Sequence, residues 1–284
     1  MTSPEAPALR SARPALRTRR RPLHGARRSW WRAWGEPAAV VLALLGVWEL
    51  LVRGGVLPSR SLPPPSAIGA AFMADVRQPE VWEALGSTMA SWAIGLAAVV
   101  VVGVPVGLLL GTNRIAYLAT QPSFEFVRTI PSIAALPLLI LIFGTGPKLA
   151  AVMVFLGSLW PVLIQTMYGV QDVDPATKDT GRAYGLGRVK LFTRIVLPSA
   201  LPYIATGIRL AAVMGLLLSV ASSLIAGGGG IGFLITNASF SGVPELSYAR
   251  IVLTGIVGLL LTLLLTLLEA RFLFWHASER KVRT

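Results

Sequence analysis

Six stretches of this chain are apolar over about the thickness of a bilayer's hydrocarbon core, and that feature restricts the fold more than any other. They fall at roughly 37–52, 88–111, 129–146, 149–169, 201–226 and 251–269. About 20 helical residues cross the lipid tails, with about 17–25 common. Inside hydrocarbon every backbone N–H and C=O must find its partner within the protein, so such runs become helices. The expectation is an all-α membrane protein of about six transmembrane helices. The first and third runs are short and need flanking residues to complete a crossing. Pro105, Pro131, Pro137 and Pro161 lie in or beside these runs and predict kinks.

Composition agrees. Only 14% of residues are charged and 54% are hydrophobic, against about 25% charged in an ordinary soluble domain. There is no cysteine, which removes disulfides, thiol catalysis and thiolate metal sites. The two histidines, His24 and His276, stand near opposite ends and give no metal site. No metal, cofactor or catalytic constellation is expected, and the chain reads as a transport subunit and not an enzyme.

The net charge of +13 has two readings, nucleic-acid binding or the positive-inside rule. Position decides between them. If the N-terminus is cytoplasmic, the inside segments are the N-tail, 112–129, 171–200 and the C-tail. Twenty of the 26 Lys and Arg residues then lie inside, and Arg53, Arg60, Arg77, Lys148 and Arg250 lie outside. Arg209 falls in the fifth run. The split predicts both termini cytoplasmic, with no nucleic-acid partner. Residues 1–35, with nine arginines before Trp34 against Glu5 alone, read as a disordered basic tail. Trp30, Trp31 and Trp34 read as interfacial anchors. The membrane domain is 36–276, and 277–284 is a second basic tail.

Two outside segments carry more than a loop. Residues 65–76 follow the prolines at 63–65 and predict a short amphipathic helix. Residues 226–235, AGGGGIGFLI, place four glycines at the outer mouth, which suits close packing or gating. Neither they nor GTGPK at 144–148 form a phosphate-binding P-loop, since the spacing and the Lys-Ser/Thr pair are missing.

The loop between the fourth and fifth runs, about 171–200, is the most specific segment. It reads DTGRAYGLGRVKLFTRIVLPSALPYIATGIRLA from Asp179. This resembles the EAA loop of ABC importer permeases: Glu-Ala-Ala, three residues, Gly, nine residues, Ile-x-Leu-Pro. Asp179, Thr180 and Gly181 hold the first three places. Ala183, Tyr184 and Gly185 follow, then Ile195, Leu197 and Pro198. Asp replaces Glu, and Thr and Gly replace the alanines. A glycine weakens a helix by roughly 1 kcal/mol relative to alanine, so the length of the first loop helix is the feature in question. The resemblance implies a helix that docks on an ATPase subunit, with Gly185 turning the chain and Leu197-Pro198 marking re-entry into the membrane.

EFVRTIPSIAALPLLILIFGTG from Glu125, the Gly-rich stretch and the outer PPPSAIGAAF are similar to the nitrate/sulfonate/taurine-type permeases. Together the similarity covers about 37–276. That group often has Val-Ala-Glu where this chain has Val220, Ala221, Ser222 and Ser223, with Ser223 in the acid's place. The resemblance implies a MetI-like permease fold in a bacterial plasma membrane and a homodimer. It also implies two ATP-binding subunits and an extracytoplasmic solute-binding protein. The implied solute is a small organic anion such as a sulfonate or taurine, or nitrate; a pyrimidine-type vitamin precursor is the alternative. An ion-gradient-driven secondary transporter is the rival reading, followed by a membrane enzyme and a scaffold. Ser222, Ser223 and Asn237 are the candidates for the outer end of a path, with helix–helix hydrogen bonding the plainer reading. Glu49 and Arg209, charged within runs, read as an outer-interface acid and a snorkelling base.

Overall fold

The computed structural model describes residues 30–272, with side chains from 35 to 271. The expected tails at 1–35 and 277–284 lie outside the described residues, except for the backbone from Trp30, which is already helical. His24, His276 and the side chains of Trp30, Trp31 and Trp34 lie outside as well. The described residues divide into two units, one ending at Val47 and one beginning at Trp48. The described part of the first is the beginning of one helix, and every other helix belongs to the second.

Helices account for nearly all of the described chain, and no strand occurs among the described residues. They are α1 (Trp30–Arg53), α2 (Pro65–Asp75), α3 (Pro79–Thr112), α4 (Arg114–Arg128), α5 (Leu136–Phe143) and α6 (Pro147–Gln171). After them come α7 (Pro175–Ala183), α8 (Arg188–Leu191), α9 (Leu197–Ala226), α10 (Ile231–Phe240) and α11 (Pro244–Phe272). Proline opens α2, α3, α6, α7 and α11, where its missing N–H costs nothing and its φ is already helical. Asn113 caps α4, its Oδ1 accepting from the amides of Ile115 and Ala116, both at 3.1 Å.

Among the described residues, five helices are long and apolar enough to cross a membrane. The third expected span is not a straight helix. Its place is taken by α4 and the segment Ser132–Phe143, bent by 75° at Thr129–Pro131, the geometry of a broken span or a re-entrant loop. The break falls where Pro131 denies a backbone donor. Consequently 112–129, expected as a cytoplasmic loop, is helix α4. The fifth span also begins earlier than expected: Arg188–Ala226 runs on as one helical stretch of 39 residues. Pro198 therefore sits inside a helix and not at its start. A wide π turn at Phe192–Val196 precedes it and makes room where the proline ring meets the carbonyl one turn back.

α3, α6 and α9 pack most extensively and form the core. Along α3, Gly95, Gly103, Gly107 and Gly111 lie on one face against α6. A Cβ on Gly107 would stand 2.7 Å from Thr166 Cβ, and one on Gly111 2.7 Å from Val170 Cβ. Small residues four apart let two backbones approach, which in lipid is a main source of helix association. Gly207 and Gly215 of α9 make the same kind of approach to α6, at Val162 and Val154. Trp92 of α3 donates its indole N–H to Ala212 O of α9 at 2.9 Å. Buried Val99, Val162 and Ala211 fill the triangle between them.

The outer layer is tied by charges that the sequence suggested as loop or interface residues. Glu49 of α1 accepts from the Ser66 amide (3.0 Å) and hydroxyl (2.7 Å), and from Arg53 Nε (2.6 Å). It therefore holds the first turn of α2. Arg250, expected in an outer loop, is buried in α11 with 6% of its surface exposed. Its Nε and Nη2 donate to Asp75 of α2 at 3.1 and 3.0 Å, and its Nη1 donates to Leu234 O of α10 at 2.7 Å. One guanidinium thus joins three helices. Arg209 of α9 faces Glu269 of α11 at 3.0 Å instead of only snorkelling.

Candidate functional site

The EAA-like residues lie on α7 and the turn after it, with Ile195 in the π turn and Leu197 and Pro198 at the start of α9. Asp174 starts α7 by accepting from the Ala176 amide at 2.9 Å. The helix continues through Gly181 to Ala183. It ends in a paired closure: the Gly185 amide donates to Arg182 O (2.9 Å) and the Leu186 amide to Gly181 O (3.0 Å). This is a Schellman motif, whose C′ position takes a left-handed backbone and so favours glycine. Gly185 has φ +77°. A Cβ on it would meet nothing within 4 Å, so its requirement in this chain is conformational, not steric.

Gly181 is constrained differently. It is buried, and a Cβ there would stand 2.7 Å from Ile195 Cδ1 and 2.8 Å from Leu191 Cδ1. Leu191 and Ile195 fill the space that an alanine would use, which explains why α7 tolerates glycine in the EAA register. Thr180 Oγ1 bonds back to Ala176 O at 2.8 Å. Asp179 pairs with Arg182 at 2.7 Å on the exposed face, and Ala183 is exposed beside them. Leu197 packs against the buried Val170, Val173, Val196 and Ala200, and Pro198 follows it half-buried. Tyr184 and Val189 project with 83% and 76% exposure. A groove of about 460 Å³ runs beside α7 between Thr177, Tyr184 and Ile195. The loop is a rigid, cross-braced projection ending in two large apolar side chains.

Ser222, Ser223 and Asn237 are not brought together. Ser222 and Ser223 are buried, and their hydroxyls donate to carbonyls of their own helix, chiefly Ser219 O at 2.9 and 3.2 Å. Ser219 in turn donates to Thr88 O of α3 at 3.3 Å. The cavity among these hydroxyls is about 10 Å³, room for one water at most. Asn237 is exposed on α10. The glycines at 227–230 all have positive φ, and Gly228 lies against Gly146 in the turn before α6. That outer stretch is a close backbone crossing.

Sequence reading missed a second feature. Two open cavities, of about 610 and 560 Å³, lie beside the α6–α9 contact. The first lies at the α4–α5 break and is lined by Arg128, Thr129, Ser132, Trp160, Gln165 and Met214, among others. The second lies toward α7, where Asp172 accepts from Tyr203 Oη at 2.6 Å. Gln165 lines both. A lone carboxamide in the apolar run 149–169 was the available signal.

Residues 103–274 match the family described as binding-protein-dependent transport system inner membrane component. The chain is 31% identical to the nitrate import permease protein NrtB of a Synechocystis species, across 83% of this chain and 88% of that one. It is also 31% identical to the aliphatic sulfonates transport permease protein SsuC of Escherichia coli, across 85% and 92%. Among solved structures, the MetNI methionine ABC transporter in an inward-facing conformation superposes with a TM-score of 0.53 at 22% identity, covering 68% of this chain and 92% of that one. The likeness in fold therefore extends to the MetI-like permeases.

Proposed function

The chain belongs to the binding-protein-dependent transport system inner membrane component family, and from that premise we propose that it is the solute-conducting subunit of an ATP-driven importer whose motor sits on separate subunits. The observation that carries this reading is the braced loop of α7 and α8. Tyr184 and Val189 stand out from it at 83% and 76% exposure, yet the loop runs without a break into α9. Force applied at Tyr184 reaches the core helix through Gly181, Leu191 and Ile195. Exposed aromatic and aliphatic anchors around a rigid turn are what a docking contact needs.

In this reading the loop and both termini are cytoplasmic, consistent with 18 of the 26 basic residues falling in the N-tail, 171–200 and the C-tail. Two ATP-binding subunits engage the loops of two copies of this chain, and an extracytoplasmic binding protein delivers the solute. A second copy is needed because the cavity beside α6 and α9 is lined by the polar Thr129, Ser132 and Gln165 and by Arg128, which lipid solvates poorly. The solute is a small oxyanion of the nitrate or sulfonate kind, by analogy with the relatives above.

The test is affinity purification of the tagged chain from mild detergent, followed by an ATPase assay. We expect an ATP-binding subunit to co-purify, and Gly185→Asp to abolish binding-protein-stimulated ATP hydrolysis while the assembled particle keeps its size. Recovery of the chain without such a subunit, or full stimulation in Gly185→Asp, overturns the reading.

A further inference from the structure

We propose that the solute passes along the α6–α9 face, with Gln165 at the junction of its two cavities and with opposite charge on either side of it. This deepens the function proposed above and rests on it. On α6, Gly157, Pro161, Gln165 and Gly169 line the two cavities four residues apart, a spacing that places them in one line on a helix. On α9, Thr206, Leu210 and Met214 do the same. The cavities are therefore successive stations along one stripe, and Gln165 is the residue common to both.

The stripe cannot face lipid. Arg128 keeps 43% of its side chain exposed beside a backbone break, and irregular backbone at membrane depth is tolerated only where it is buried in protein or lines water. The charges differ by station. Arg128, paired with Glu125 outside the lining, is the one charged residue of the first cavity. The second is lined by Asp172 and Asp174, and by Glu269, which Arg209 neutralises. Between them the Gln165 carboxamide offers two N–H donors. A small oxyanion is attracted at the first station, hydrogen-bonded at Gln165 and repelled at the second, where it leaves toward the α7 end.

The chain contains no cysteine, so single thiols report directly on this path. Cysteine is placed at Gln165, Thr206 and Met214 in the assembled transporter with its ATP-binding subunits. Each variant is treated with an anionic and a cationic methanethiosulfonate of similar size. Leu141→Cys, 83% exposed outside both cavities, and Ser158→Cys, fully buried, are the controls. We expect labelling at all three path positions and slow labelling at both controls. The anionic reagent should react faster at Met214→Cys and the cationic one at Thr206→Cys, each by about fivefold, on the order of one screened charge nearby. Gln165→Leu should raise the KM for uptake about tenfold while binding-protein-stimulated ATP hydrolysis persists. Thiols at 165 and 206 that resist both reagents, a charge preference that does not reverse, or an unchanged KM overturns the path. Retained ATPase coupling in those same preparations separates that failure from failure of the importer reading.

Discussion

Replacing Arg250 with Met should unseat the outer layer, and the cost follows from the contacts it makes. The substitution removes two hydrogen bonds to Asp75 and one to Leu234 O, at 3.1, 3.0 and 2.7 Å. It leaves a carboxylate that is 95% buried without its counter-charge, Asp75 being 5% exposed. Breaking one side of such a pair costs about 3–5 kcal/mol, whereas replacing both sides with apolar groups of similar volume is often near neutral. Asp75→Leu combined with Arg250→Met should therefore recover most of the loss, giving a coupling energy on the order of 3 kcal/mol. Melting of the detergent-solubilised complex, followed by the size-exclusion profile of heated samples, reads this out. A domain of this size loses roughly 2–4 °C per kcal/mol, so the single variant should melt about 10 °C low. A single variant that melts with the wild type, or a double variant that melts as low as the single, would refute the claim that the pair joins α2, α10 and α11.

Three further outcomes are expected. Gly107→Leu forces a side chain into Thr166 and Leu163 O and should lower the same melting temperature by about 1–3 kcal/mol equivalent, while Gly69→Ala, with nothing within 4 Å, should be neutral or slightly stabilising. Gly185→Ala imposes about 1–2 kcal/mol of left-handed strain on the loop and should reduce ATP-driven uptake without shifting the melting of the core; Gly187→Ala, where φ is −65°, should leave uptake unchanged. Ser223→Ala removes only hydrogen bonds to its own helix and should leave the KM for uptake at the wild-type value.

The membrane class and the place of the loop were legible because both depend on local rules. Run length identifies a span, and the Gly185-to-Pro198 spacing with its Leu191 and Ile195 neighbours encodes a two-helix projection. What escaped sequence reading depends on which faces meet. Gly95, Gly103, Gly107 and Gly111 look like an apolar run until α6 is placed against them. Arg250 reads as a loop charge because Asp75, its partner, is 175 residues away. The third span reads as continuous because hydropathy is blind to direction, and only the bend at Thr129–Pro131 creates the cavity beside Gln165. Ser222 and Ser223 stood out as polar in an apolar run, yet a hydroxyl can satisfy itself on the preceding turn, whereas the carboxamide of Gln165 is too large to do so.

Uptake into proteoliposomes tests the central claim most directly. The chain, its ATP-binding subunits and its binding protein are reconstituted, and entry of labelled nitrate or an alkanesulfonate is followed. Accumulation that requires ATP, both partners and an intact Gly185, and that persists when ionophores collapse every ion gradient, is the result expected. Accumulation driven by an ion gradient, with the ATP-binding subunits absent, would contradict it.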